Sequence, residues 1–243
     1  CGLFAELRLT DAQGNRTVIG TDGSWQYAES PVRFSEIYDG EWYDAQICPT
    51  NWQNAVVFEK SCENLIPQEG EKICEKERVQ AKRVFVTPAG ETVVDFGQEV
   101  TGYVEFTVDA EAGQEIRILH GEVLDAEGNF YRDNYRDAKA ELRYVCREGI
   151  QTWHPLLTFF GFRYLKLEEF PGEAKPEQFT AIAVYSDLRK TGHLRCGVPE
   201  LNQLFSNILW GQRGNFLDVP TDCPQWDERL GWTGDAEVFV KTA

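Results

Sequence analysis

The hydrophobic pattern of the chain changes period once, near Ser186, and that change limits the folds open to it. Before that point apolar and polar residues alternate in short runs closed by turn residues, the pattern of antiparallel strands. Gly2–Leu9 alternates, a turn follows at Asp11–Asn15, and a second short run occupies Thr17–Gly20. Thr21–Gln46 is rich in aromatics and punctuated by Asp22-Gly23 and Asp39-Gly40, which suits a jelly-roll or related sandwich. Residues 63–82 are polar, carry Pro67, Gly70 and a charged run near Glu75–Arg78, and read as a linker. From 83 to 187, runs of about five to seven residues are separated by Gly-containing turns, and Phe159–Phe170 is the strongest strand. Beyond Ser186 the pattern is helical. Pro199 stands where a first helical residue needs no N–H. Leu201, Leu204, Phe205, Ile208 and Leu209 then recur at the 3.6-residue period. A second helix is expected from about Gly234, with Ala236, Phe239, Val240 and Ala243 on one stripe. The expected architecture is multidomain: an N-terminal β-sandwich over 1–74, a second antiparallel β-sandwich over 75–187, and a helical region over 188–243.

Charge narrows the partners. With 40 acidic against 24 basic residues the chain carries a net charge of −16, which repels phosphate backbones and disfavours nucleic acid. Neutral ligands such as sugars meet no such penalty. The chain holds 7 Trp, 9 Tyr and 15 Phe, rings that stack on sugars but first of all fill β-sandwich cores. No apolar run approaches the roughly 18 residues of a membrane span. The seven cysteines are odd in number, widely spaced and without a CxxC pair. This argues against a zinc site and for free thiols in a reducing, cytoplasmic setting. The triplet Asn15-Arg16-Thr17 matches a glycosylation sequon once, as expected by chance. There is no Met, the chain starts in strand-like sequence and stops in helix-like sequence, so both ends read as truncated.

Chemistry concentrates in one irregular segment, Asp218–Phe239. It holds Asp218, Asp222, Asp227, Glu228 and Asp235, one cation at Arg229, and two indoles at Trp226 and Trp232. Clustered carboxyl groups in a low dielectric raise the pKa of at least one of them. A carboxylic acid still protonated near neutral pH can donate to a glycosidic oxygen. A competing reading stays open: Asp222, Asp227 and Asp235 could each cap a helix. The spacing does not fit a 12-residue calcium loop.

The run VPTDCPQWDERLGWTGD, Val219–Asp235, closely resembles the signature of bacterial α-L-rhamnosidases of glycoside hydrolase family 78. Thr21–Ala45 looks like the family's N-terminal β-sandwich. Val93–Val108, His120–Tyr144, Thr152–Glu168 and Tyr185–Cys196 look like its concanavalin-like domain, and Leu201–Gln225 is similar to the entry into its six-hairpin (α/α)₆ barrel. The resemblance implies an inverting hydrolase acting on terminal α-L-rhamnose, with no metal and no cofactor. It implies Glu228 as general acid, Asp222 on the rhamnose hydroxyls, Asp235 in the same acidic pocket and Trp232 as an apolar wall. Asp227 and Arg229 would flank the acid, either orienting it or forming a structural ion pair. Trp226 departs from the family's usual Arg, which is expected to contact the sugar. A fork of donors is there replaced by a single N–H, which bears on sugar specificity. An inverting enzyme also needs a second carboxylate roughly 6.5–9.5 Å away. The family takes that base from a downstream Glu beyond these residues, so the 243 residues alone are expected to be inactive. The partner implied is a rhamnose-containing glycoside, and a homodimer is the candidate assembly.

The remaining polar features read as structural. His120, His154 and His193 are scattered, and Cys223 sits among acids that disfavour a thiolate. Glu122 and Asp125 read as hairpin-turn residues, with a secondary reading as a loop near the active site. Two other functions compete: a non-catalytic carbohydrate-binding protein, and a six-hairpin glycosidase with another sugar specificity.

Overall fold

The computed structural model describes residues 2–59 and 63–241. Cys1 and Cys62, two of the seven expected free thiols, and Ala243, expected on the second helical stripe, lie outside the described residues. Cys48, Cys74, Cys146, Cys196 and Cys223 are all free. Two compact units are formed, one from Cys1–Pro31 with Ile47–Gln68, the other from Val32–Gln46 with Glu69–Ala243.

The smaller unit is built from short antiparallel pairs. Strand β1 (Glu6–Thr10) pairs with β2 (Arg16–Gly20), in register from Glu6 opposite Gly20 to Thr10 opposite Arg16. Its turn is an Asx turn: the Asp11 carboxylate accepts the backbone N–H groups of Gln13 and Asn15 at 2.9 and 2.8 Å. Strand β3 (Gln26–Tyr27) pairs with β6 (Gln53–Asn54).

The larger unit begins with the hairpin β4 (Val32–Glu36) and β5 (Gly40–Asp44). Then come β7 (Ile73–Gln80), β8 (Arg83–Val86), the long β9 (Thr92–Ala110), β10 (Glu115–Gly121), and the short pair β11 (Val123–Leu124) and β12 (Phe130–Tyr131). β13 (Glu141–Val145), β14 (Gly149–Trp153), β15 (Phe160–Glu169) and β16 (Phe179–Ser186) complete the β region. Helix α1 (Pro199–Gly214) comes next, with Pro199 in its first turn, then the short pair β17 (Phe216–Leu217) and β18 (Val219–Pro220), and helix α2 (Thr233–Phe239). β structure up to Ser186 and helices after it are the fold class expected from the change of period.

One ten-stranded sheet runs β4-β5-β13-β10-β15-β9-β16-β7, with β8 and β14 also on β9. Since β9 pairs with four strands it passes from one layer to another, and the sheet curls over its main core. Alternate residues supply that core: Val94, Phe96, Val104 and Phe106 from β9, Ile116 and Ile118 from β10, Phe160 and Phe162 from β15. Each such side chain contributes about 1.5–3 kcal/mol by leaving water. At Gly40 the turn glycine also meets a close approach. Its φ is 112°, and an added Cβ would lie 1.8 Å from the Glu141 carbonyl oxygen, where β5 runs parallel to β13.

The stretch expected as a linker is in part a strand. β7 pairs with β16 from Ile73 opposite Ser186 to Gln80 opposite Thr180, so the division at 74/75 falls inside it. The charges that suggested a solvated linker lie along the outer edge of the sheet, where charged side chains oppose edge-to-edge pairing. The physical cause is periodicity: ICEKERVQ alternates exposed and half-buried positions except at Lys76-Glu77, where the register with β16 shifts. Val32–Gln46, expected in the first domain, packs with the larger unit. The sheet ends at Ser186 and the first helix begins at Pro199.

A bulge interrupts the long strand β9. Phe162 pairs with Val100 and Tyr164 with Asp95, so two steps of β15 span five of β9. The extra residues, Phe96–Glu99, include Gly97 at φ 69° and turn Gln98 and Glu99 out of the ladder.

Candidate active site

The motif Thr221–Gly231 is a loop closed at its neck. Thr221 and Gly231 form an antiparallel bridge, and the Trp232 N–H donates to the Pro220 carbonyl at 2.9 Å. Inside the loop lies Arg229, 3% exposed and with φ 51°. Its guanidinium donates to the backbone carbonyls of Trp226 (2.9 Å), Gln225 (2.6 Å), Phe159 (2.7 Å) and Ile37. Burial pushes it down to about 10. Two of those carbonyls are the loop's own and two belong to the β sheet region, so one side chain both shapes the loop and docks it. Docking is close: Pro224 lies on Gly161, where an added Cβ would sit 2.7 Å from the proline ring. Tyr38, after β4, donates its hydroxyl to the Glu228 carbonyl at 2.6 Å.

This folding brings Asp222 beside Glu228. One carboxylate oxygen of each and the Cys223 sulfur lie within 4.8 Å of one another. Both Asp222 oxygens are buried without a well-aligned hydrogen bond. Burial raises the Asp222 carboxyl, but its contacts with the Glu228 carboxyl and with Cys223 outweigh that and hold it below its usual range. Burial raises the Cys223 thiol. A metal would need that thiol deprotonated, and Glu228 is already engaged: it accepts a bond from Arg136 Nη1 at 2.6 Å, with Asp227 3.8 Å from the same nitrogen. The donor set is therefore poorly suited to an ion. The Arg136 guanidinium also lies over the Trp226 ring, 4.0 Å from its centroid.

Asp222, Gln225 and Trp226 line a cleft of about 520 Å³, closed on its other sides by the β9 bulge (Gln98–Thr101) and by Asn207, Trp210 and Gly211 of α1. Its polar groups are underused: Asp222, Gln225, Trp226 and Glu99 each present a buried polar atom without a hydrogen-bond partner. Burial, then the nearby Glu122 charge, raise Glu99 well above the carboxylate range, against a smaller lowering by Arg163. Glu122, raised by burial, accepts from Asn134 at 2.7 Å.

Of the residues singled out in the sequence, Asp222, Trp226, Asp227 and Glu228 are brought together. Arg229 is adjacent in sequence but turned away onto carbonyls, and neither sugar contact nor an ion pair with Asp227 describes it. Trp232, 52% exposed, stands at the cap of α2, with Asp235 exposed in its first turn, and neither lines the cleft. Asp125 is the turn residue expected, accepting from Glu127 and Asn129. Glu122, read first as turn chemistry, lines the cleft instead. Arg136, Tyr38 and Glu99 were not found in the sequence: the first lies in a turn-like run, the last in a strand whose bulge leaves no compositional mark.

Three family profiles match consecutive stretches: the α-L-rhamnosidase N-terminal domain over 1–84, the bacterial α-L-rhamnosidase concanavalin-like domain over 86–185, and the bacterial α-L-rhamnosidase six-hairpin glycosidase domain over 189–243. An α-L-rhamnosidase of Formosa agariphila is 35% identical over 99% of this chain and 28% of its own length. One of Streptomyces avermitilis is 37% identical over 99% of this chain and 25% of its own length. The crystal structure of the Streptomyces avermitilis α-L-rhamnosidase complexed with L-rhamnose superposes with a TM-score of 0.90 at 35% identity, covering 98% of this chain and 24% of that one. The native α-L-rhamnosidase of Aspergillus terreus does so with a TM-score of 0.90 at 36% identity, covering 98% and 29%. The chain spans about a quarter of the length of these relatives, and it belongs to the bacterial α-L-rhamnosidase family, carrying that family's N-terminal domain, its concanavalin-like domain and part of its six-hairpin domain.

Proposed function

We propose that this chain belongs to an enzyme that hydrolyses terminal α-L-rhamnosides with inversion, and that Glu228 is its general acid. The observation that carries the reading is the Glu228 carboxyl held beside Asp222, whose buried carboxylate oxygens lack a well-aligned hydrogen bond and which lines a cleft walled by Trp210 and Trp226. Glu228 protonates the departing glycosidic oxygen. Asp222 accepts hydrogen bonds from rhamnose hydroxyls, which suits carboxylate oxygens that lack a well-aligned partner. Trp226 in the cleft and the exposed Trp232 outside it offer ring faces to the sugar, and Asp227 flanks the acid. Asp235, exposed in the first turn of α2, is assigned to the same acidic site. The water-activating base comes from outside these residues, consistent with the quarter of the relatives' length that they span. The working partner is a rhamnose-containing glycoside, the candidate assembly a homodimer and the setting cytoplasmic; no helix among the described residues is long and apolar enough to cross a membrane.

The test is Glu228→Gln in the full-length protein carrying this sequence, assayed on aryl α-L-rhamnosides. Loss of a general acid lowers kcat by about 10²–10⁴-fold. The loss is largest for poor leaving groups, which need the proton most. Unchanged turnover on a poor leaving group would remove Glu228 from the role.

A further inference from the structure

We propose that Arg136 is a positioning residue for Glu228, held in place by stacking on Trp226. The inference rests on the reading of Glu228 as general acid. Arg136 follows the 3₁₀ turn Asp133–Tyr135 and has φ 54° and ψ −121°, outside the regions a non-glycine residue prefers. Such a conformation persists only where the surroundings over-determine it, and here they do. The buried Tyr135 donates its hydroxyl to the Gly161 carbonyl at 2.6 Å, Asn134 bonds Glu122 at 2.7 Å, and the Ala138 N–H returns to the Tyr135 carbonyl at 3.1 Å. The turn is thus pinned to the core strand on which Pro224 also rests, and the backbone delivers Arg136 to the motif.

Its side chain makes two contacts there. The guanidinium lies 4.0 Å from the Trp226 ring centroid and donates to Glu228 Oε1 at 2.6 Å. Trp226 is engaged through its face, since its buried indole nitrogen has no partner. A planar cation on an indole face gains attraction and loses rotational freedom, so the stack fixes the direction of the fork toward Glu228. Arg229, the neighbouring cation, is bound to carbonyls. Among the described residues, Arg136 is the guanidinium paired with Glu228. The chemistry agrees. When Glu228 gives its proton to the leaving oxygen it becomes a carboxylate, the form a guanidinium pairs with best. Arg136 already touches Glu228 in the resting structure, and the contact tightens as negative charge develops on the carboxylate, so its effect falls mainly on kcat.

The experiment is a double-mutant cycle in the full-length protein, with kcat and KM measured separately on an aryl α-L-rhamnoside. Arg136→Gln lowers kcat about 10–100-fold with KM within about twofold. Arg136→Lys recovers several-fold of that loss. Trp226→Ala lowers kcat in the wild-type background but adds less than about twofold to the kcat loss in the Arg136→Gln background, because the ring then has no guanidinium to hold and its contact with the sugar falls on KM. Trp226→Phe, which keeps a ring face, retains most of the rate, and melting curves of R136K and W226F check folding in the two mildest variants. If R136Q leaves kcat within threefold of wild type, or if the two losses multiply, the proposal is overturned. Glu228→Gln in the same assay separates the two readings. If E228Q is inactive while R136Q is not impaired, only the positioning role fails. If the wild-type protein does not cleave the rhamnoside, the acid assignment fails and the positioning role with it.

Discussion

Replacing Arg229 with Met removes the clamp of the motif loop, and the size of the loss can be worked from its contacts. Four backbone carbonyls accept from this guanidinium. At about 1.5–3 kcal/mol for each hydrogen bond to a charged group, the gross stabilisation is roughly 6–12 kcal/mol. Against it stands the burial of the charge. The drop to about 10 from the usual 12.5 corresponds to about 3 kcal/mol. Water and relaxation will satisfy some freed carbonyls, so the expected net loss is about 3–5 kcal/mol, the range for breaking a buried charged network. At about 2–4 °C per kcal/mol, Tm falls by roughly 6–20 °C. Scanning calorimetry measures this, and amide exchange at Gly231 and Trp232 reports whether the loop neck opens. Titration with L-rhamnose on the same variant separates structure from recognition. A Tm within about 2 °C of wild type, with rhamnose affinity reduced, would refute the clamp and make Arg229 a sugar ligand.

Burial pushes the His120 imidazole down to about 3, while an unfolded histidine takes its proton near 6.5. The unfolded chain therefore binds a proton that the folded one refuses between those values. Stability is present above about pH 6.5 and declines by on the order of 4 kcal/mol as pH falls toward 3. Tm against pH for wild type and His120→Phe checks this, since the variant lacks that part of the slope; parallel curves would sink it. Gly161→Ala places a methyl 2.7 Å from Pro224, and overpacking of this kind costs about 1–3 kcal/mol. Both Tm and the kcat of the full-length protein should fall, and an unaltered kcat would mean that the motif loop does not depend on this seat.

The motif was legible because one short stretch holds every residue needed to suggest acid chemistry, and helical spacing marked α1 from Pro199 onward. What could not be read is what distant parts of the chain bring to it. Arg136 reaches Glu228 across 92 residues and Tyr38 across 190, and no local pattern encodes such meetings. Arg229 misled for a related reason. Beside Glu228 in sequence, it reads as part of the same polar cluster, but its positive φ turns it the other way. β7 misled through composition, since an edge strand carries the charges of a linker while keeping the alternation of a strand.

The clamp of Arg229 has a consequence for the order of events during folding. Its acceptors Ile37 and Phe159 precede the motif in the chain, so the sheet region emerges from the ribosome before the segment that it will shape. Domains fold as units, N-terminal first, during synthesis. The acidic loop then has a finished template to close upon, and a peptide of the motif alone would have nothing to close around.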